Sequence, residues 1–483
     1  MGKLWNFESF AESPALIADS GITLTYHDLD SLSDTMEKEI GKSGCLCDTF
    51  KQLTMFVCRN TLGALSGYAA LINRGYPMLP VSDGLPVRIR KDLMNVYRPR
   101  LLLLPLELRN DHPAMREICT IRDYVLLKTN YPECFPVHSQ LGLLITTSGS
   151  TGSVKLVRQS WDNLRFNAAT IAECLQISAS DRTITALPLQ YTYGLSILHA
   201  NLLRGAAMVI TTSGVMDAEF WDLFEAENVT CFHGVPNTYD MLHRIELFED
   251  DFPCLRLMSQ AGGRLSPELQ KYYGQYAGKQ GKQFVIMYGL SEATAAISWL
   301  PPEDILRKPG SAGIIIPGGS VSLIDEDNNP VTGAHRRGEL VYCGPNVAMG
   351  YAQQGEDLQL GDEWNGVLRT GDIAEIDEDG YYTITGRRKR YLKMSGHRIS
   401  LDEVDSMIMD ELGIFAVSVG TDDHLVIFVT DEKEEEPVRS FIRTNVLSGG
   451  SDIRILTIPE FPKNEGGKIL YAVLQEAVQD SSC

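Results

Sequence analysis

The densest run of chemically useful residues lies in GLLITTSGSTGSVKLVRQS. There an apolar strand leads into Thr146, Thr147, Ser148, Gly149, Ser150, Thr151 and Gly152, and Lys155 follows. Glycines let backbone N–H groups turn toward a polyphosphate, hydroxyls add donors, and the lysine supplies countercharge. The spacing is not that of a Walker A loop, which needs Gly-Lys-Ser/Thr after its glycine interval. By itself this loop says that phosphate is bound and nothing about what is done with it.

Four later segments supply the context. They are AGGRLSPEL from Ala261, MYGLSEAT from Met287, LRTGDIAEI from Leu368 with ITGRRKRYLKMSGHRISLDEVD after it, and FPKNEGGKIL from Phe461. In this order the series resembles the superfamily of adenylate-forming enzymes. That superfamily includes acyl- and aryl-CoA synthetases, adenylation domains of nonribosomal peptide synthetases, and beetle luciferase. The resemblance covers roughly the last three-quarters of the chain, from the phosphate loop onward.

The resemblance implies a role for each matching residue. Tyr288 would stack on adenine, and the backbone of Gly262 and Gly263 would line the base. Ser291 would hydrogen-bond the α-phosphate. Glu292 would hold Mg²⁺ against the phosphates, a task suited to a carboxylate. Asp372 would accept both ribose hydroxyls, with Arg387 supporting ribose and phosphate. Lys468 would approach the bridging oxygen and the attacking carboxylate. Taken singly, Tyr288 reads as a core aromatic, Asp372 as a turn residue and Lys468 as a solvated loop lysine; their joint order favours the functional reading. The resemblance also implies a hinge at Lys389, three positions beyond Gly386. Rotation there would present Lys468 for adenylation, then Lys393 and Gly396 for thioester formation.

The implied reaction is ATP-dependent activation of a small carboxylic acid through an acyl-adenylate, with release of pyrophosphate. Acyl transfer to a thiol follows, either coenzyme A or the phosphopantetheine arm of an acyl carrier protein. Alternatives are an amino-acid-activating ligase for a carrier protein, a luciferase-like acyl-AMP oxidoreductase, and an inactive nucleotide-binding homologue. The sequence departs from the family pattern at Val154, where proline usually precedes the loop lysine, and at Tyr191 in QYTYG, where acyl and aryl synthetases often have histidine. No carboxylate occurs in QYTYG to meet an α-ammonium group, which disfavours a free amino acid. Tyr191, Gly289 and His233 are the expected acid-pocket residues, although His233 reads almost as well as a satisfied loop histidine.

These residues need elements to position them. From Leu53 to about Val331 short apolar runs alternate with amphipathic ones. TMFVCR, LLLLPL, GLLITTSG, TITALP, AAMVITT, VTCFHGVP, LRLMSQAGG and FVIMYG read as strands, and SWDNLRFNAATIAECLQI and PNTYDMLHRIELF as helices. The alternation predicts α/β layers on parallel sheets, with ligands at the carboxyl ends of the strands. Gly310 to Gly386 reads as a β-rich subdomain in which DEDG turns a hairpin. Residues 387–483 read as a small mobile α+β domain after a large adenylation domain of residues 1–386, with EKEEEP as a solvated loop.

The chain has 483 residues, 44% hydrophobic and 22% charged, with a formal net charge of -20. This excludes nucleic acid as a general partner and requires that a polyphosphate be held by a local site. The ten cysteines show no zinc spacing, and no apolar run is long enough to span a bilayer. The expectation is a soluble cytoplasmic protein with no membrane insertion.

Overall fold

The expected apolar runs of the first part of the chain become strands, and their order explains where polar residues collect. The structure, a computed structural model, describes residues 3–44, 51–146, 155–249, 252–388, 390–394, 397–445, 452–463 and 469–480. By compactness the chain divides into two units, Met1–Ser320 with Cys343–Leu368, and Val321–Tyr342 with Arg369–Cys483.

In the first unit, among the described residues, one sheet has nine strands and another eight. The centre of the nine-stranded sheet is parallel, running in the order Gln283–Leu290, Leu257–Gln260, Cys231–Gly234, Arg182–Ile184, Ala207–Ile210 and Pro14–Ala18. Ala295–Leu300 and Ile314–Ile315 extend it antiparallel beyond Gln283–Leu290. Parallel strands covered on both faces are largely apolar, as the buried FVIM of Gln283–Leu290 and the buried Leu257 and Met258 show. All twelve residues of the helix Leu62–Asn73 are buried, as expected of a helix apolar on every side. Its Tyr68 hydroxyl lies 2.8 Å from His199 Nε2 on the helix Thr192–Arg204, and the two rings stack with 6° between their planes.

One strand was not foreseen. LVRQS, the residues Leu156–Ser160, pairs antiparallel with Leu141–Thr146, placing Thr146 opposite Leu156. The segment after the phosphate loop is therefore the return arm of a hairpin. The helix Trp161–Cys174 begins only afterwards, capped by the Ser160 hydroxyl on Asn163 N–H.

In the second unit, five strands form a sheet that includes Ser320–Ile324, Arg337–Cys343, Val367–Ile376 and Tyr382–Arg387. DEDG turns the expected hairpin, with Asp377 Oδ1 accepting from the N–H groups of Asp379 and Tyr381. Ile314–Ile315 and Gly350–Ala352, inside the segment expected to be one β-rich subdomain, pair instead with the two sheets of the first unit. Three further strands, Val417–Thr421, His424–Val429 and Asp452–Thr457, pack with the helices Leu401–Leu412 and Glu435–Asn445 around Val404, Ile408, Ile427, Val438 and Ile442. EKEEEP faces solvent as expected but is helical, not a loop. Glu432–Glu434 form a helical turn, and Glu435 and Glu436 open the following helix, where acidic side chains complement the exposed N–H groups. Among the described residues no helix is long and apolar enough to cross a membrane.

Candidate functional site

In the first unit the neighbouring parallel strands Leu257–Gln260 and Gln283–Leu290 lead directly into candidate ligand residues. The strand Leu257–Gln260 leads to Gly262, whose φ of +87° favours glycine, and Gly263. The strand Gln283–Leu290 ends with Tyr288 and Gly289 and then turns through the short helix Ser291–Ala293. At Gly289 the register with the next strand slips, and a Cβ would meet Ala295 O at 1.5 Å. This close backbone approach alone requires glycine there.

Ser291 is fixed from two sides. Its hydroxyl lies 2.7 Å from Thr192 Oγ1, and its carbonyl accepts from Gln159 Nε2 at 2.9 Å. Glu292 is half-buried, and its Oε1 accepts from the Tyr351 hydroxyl at 2.8 Å. Lys155 Nζ lies 3.8 Å from the centre of the same tyrosine ring. Burial, reinforced by Glu292, raises the Tyr351 pKa, so the hydroxyl stays a donor. Asn346 fastens the neighbouring backbone by donating to the carbonyls of Ala293 and Ala296 at 2.7 Å each, and Thr294 Oγ1 donates to Asn346 O at 2.7 Å.

His233 is inside the sheet rather than on a loop. It is 1% exposed, and its Nδ1 lies 2.6 Å from Ser259 Oγ, opposite it on the neighbouring strand. Tyr193 OH lies 2.7 Å from the same Ser259 hydroxyl. Burial lowers the His233 pKa to about 3, so the ring is neutral. Its Nε2 has no hydrogen-bond partner among the described residues. A buried unpaired ring nitrogen costs free energy unless a ligand or water meets it. Tyr191, at the start of the helix that carries Thr192 and Tyr193, is half-exposed.

In the second unit Asp372 and Arg387 face each other across a strand pair, with Arg387 Nε 3.0 Å from Asp372 Oδ1. The Asp372 side chain is 3% exposed and that of Arg387 46%. Beside them Glu339 receives Arg369 and Arg388, whose guanidinium groups outweigh the effect of burial and lower its pKa. Arg390 lies against the ring of Tyr471 at 3.9 Å and bonds Asp402, Asp405 and Ser418 O.

Thr147, Ser148, Gly149, Ser150, Thr151, Gly152, Lys389, Gly396 and Lys468 lie outside the described residues. Lys393 is described only as backbone, in the strand Tyr391–Met394. Among the described sites, the first unit brings Ser291, Glu292 and Lys155 together, and the second pairs Asp372 with Arg387.

The donor set fits magnesium carried in by a polyphosphate. Among the described residues no group of three or more His, Cys, Asp or Glu side chains could hold a metal ion alone. Glu292 offers one carboxylate held at Oε1 by Tyr351, and Mg²⁺ is commonly bound by one or two carboxylates completed by substrate phosphates and water.

Comparison with known proteins gives this arrangement a family. A sequence model described as AMP-binding enzyme matches residues 5–352. The chain belongs to the AMP-binding enzyme family. Among its relatives, the probable CoA ligase CCL9 of Humulus lupulus is 28% identical over 353 residues, 70% of this AMP-binding enzyme and 66% of the relative. The match thus spans just under two thirds of that relative's length. Two solved structures share the fold. ATP-bound MatB from Rhodopseudomonas palustris superposes with a TM-score of 0.80 at 21% identity, covering 98% of this chain and 97% of the other. The o-succinylbenzoate CoA synthetase of Bacillus subtilis, in complex with its acyl-adenylate intermediate, gives a TM-score of 0.76 at 21% identity, covering 96% and 95%.

Several residues of the site escaped the sequence reading. Thr192 and Tyr193 stood inside QYTYG, but only the position of Tyr191 was weighed. Ser259 was hidden in an apolar strand, and Gln159 in a segment not read as a strand. Tyr351, 59 residues beyond Glu292, carries no local signal at all.

Proposed function

We propose that this AMP-binding enzyme activates a small carboxylic acid with ATP and passes the acyl group to a thiol. The observation that carries the reading is the grouping of Ser291 and Glu292, at the carboxyl end of the strand Gln283–Leu290, with Lys155 from the neighbouring sheet across the Tyr351 ring. A hydroxyl, a carboxylate and an ammonium group in this relation suit an α-phosphate, its metal and the outer phosphates.

In the first step a carboxylate oxygen attacks the α-phosphorus. A new P–O bond forms, the α–β bridging bond breaks, and pyrophosphate leaves with its electron pair. Ser291, Tyr288, Gly262 and Gly263 hold the adenylate end, and Asp372 with Arg387 hold the ribose. Lys468 neutralises charge on the reacting oxygens. Magnesium, when bound, spreads phosphate charge and keeps the chain in line for displacement. In the second step a thiolate attacks the acyl carbon, forming a C–S bond and releasing AMP as the C–O bond breaks. Lys393 and Gly396 serve that step after rotation about Lys389. Coenzyme A and a carrier-protein phosphopantetheine arm present the same thiol.

Tyr191, Gly289 and His233 belong to the acid pocket. The neutral His233 ring, with Nε2 unpaired, favours an acid bearing a hydrogen-bonding group. The missing carboxylate in QYTYG speaks against a free amino acid.

The test is isotope exchange from pyrophosphate into ATP across a panel of short aliphatic, hydroxy, dicarboxylic and aromatic acids. One acid class should stimulate exchange strongly, and Lys468→Ala should abolish it while ATP still binds. Gly396→Trp should preserve exchange and block thioester formation. No stimulation by any acid, or full exchange in Lys468→Ala, would remove the reading.

A further inference from the structure

We propose that Tyr351 is a positioning residue for adenylation, fixing the phosphate-loop lysine Lys155 and the metal-facing carboxylate Glu292 against one aromatic side chain. The inference rests on the nucleotide reading above. It concerns a residue to which neither the sequence motifs nor that reading gives a task.

Three features place the ring. The strand Gly350–Ala352 pairs antiparallel with Leu156–Ser160, setting Tyr351 opposite Val157, two positions beyond Lys155. The side chain of Arg158, with no exposed surface, then ties down the surrounding backbone. It donates to the carbonyls of Met349, Tyr351 and Gly361 at 3.1 Å each, to Leu360 O, and to the Glu363 carboxylate. Trp364 closes the other side, its ring edge-on to Tyr351 with centroids 4.9 Å apart. The ring is thus held through its backbone and from one flank.

So held, it makes two different contacts. Its hydroxyl donates to Glu292 Oε1 at 2.8 Å, fixing the carboxylate's orientation. Its face attracts the Lys155 ammonium group at 3.8 Å. Glutamate and lysine both lose considerable rotamer freedom when a ligand orders them. Ordering them beforehand lowers what a magnesium polyphosphate must contribute on binding. A chain carrying a net charge of -20 has no general attraction for such an anion, so local preorganisation matters more.

The two contacts separate by substitution. Tyr351→Phe removes the hydroxyl and keeps the ring over Lys155, whereas Tyr351→Leu removes both. ATP binding to the full chain is measured by calorimetry with no acid present, once with EDTA and once over a magnesium titration. Tyr351→Phe should bind metal-free ATP within about twofold of the parent, because the cation–π contact persists. It should require about tenfold more magnesium for half-maximal enhancement of ATP affinity, the loss expected for a hydrogen bond to a charged acceptor. Tyr351→Leu should in addition weaken metal-free ATP binding about threefold to fivefold. Unchanged magnesium dependence in Tyr351→Phe would overturn the proposal, even if its melting temperature fell, and that result stands without the leucine variant should the latter not fold. A parent protein that binds no ATP under either condition would overturn the nucleotide reading itself, and this proposal with it.

Discussion

The Nδ1 atom of His233 lies 2.6 Å from the hydroxyl of Ser259, which lies 2.7 Å from the hydroxyl of Tyr193. A helix and two strands thereby share one chain of polar atoms inside an otherwise apolar layer lined by Cys231, Leu257, Val285 and Met287. The chain ends on a ring nitrogen with no partner among the described residues.

If the acid completes that chain, breaking it in the middle should disturb acid recognition and leave nucleotide recognition alone. Ser259→Ala should raise KM for the acid about fivefold to tenfold, the effect of releasing one buried hydrogen-bonding group, with KM for ATP unchanged. Steady-state kinetics with each substrate varied in turn decide this. Equal changes in both constants would instead mean that Ser259 supports the strand and nothing more.

His199 makes a prediction about acid. Burial lowers its pKa to about 3, as it does for His233, and its Nε2 meets Tyr68 OH at 2.8 Å. An unfolded chain protonates these rings near pH 6.5, while the folded protein resists until about pH 3. Their contribution is therefore fully present above the unfolded value and diminishes as pH falls between the two, by at most about 1.4 kcal/mol per pH unit for each ring. Urea unfolding at a series of pH values should show a shallower dependence for His199→Asn than for the parent. Identical slopes would show that His199 does not enter the fold uncharged.

Arg158 should be among the costliest single residues in the first unit. Replacing it with methionine leaves the carbonyls of Met349, Tyr351, Leu360 and Gly361 without the donor that a fully buried guanidinium supplies. Destabilisation of about 3–5 kcal/mol is expected, as for breaking a buried charged cluster from one side. Equilibrium denaturation measures it; a loss under about 1 kcal/mol would mean that the segment holds its place by other contacts.

Asp372 can be examined with altered nucleotides as well as altered protein. If it accepts the ribose hydroxyls, the parent should bind 3′-deoxy-ATP about tenfold more weakly than ATP, and Asp372→Asn should discriminate little between the two. The same discrimination in both proteins would place the ribose elsewhere and make the pairing with Arg387 structural.

The pattern of legibility follows from where the information sits along the chain. Gly262, Ser291 and Glu292 stand out in the sequence because each follows an apolar strand within a few residues, and the structure bears out those strands. The hairpin at Asp377–Gly380 was readable for the same reason. Tyr351 and Ser259 were not, since their partners lie far away in sequence and their neighbours are unremarkable. LVRQS concealed a strand because Arg158 and Gln159 are buried, reversing the usual relation between polarity and exposure. EKEEEP reads as a loop because its charge masks the helix that Pro437 and Val438 continue, although its side chains do face solvent.

The chain passes between the two compact units at Ser320, Tyr342 and Leu368 as well as continuing to its end. A fragment cut at residue 386 would therefore sever Gly386 from Arg387 inside a strand, strip Arg387 from Asp372, and divide a body whose folding information is interleaved with that of its neighbour. Exchange of the C-terminal portion between homologues, whether by recombination in nature or at the bench, should succeed only when the interrupted stretches 321–342 and 369–386 travel with it.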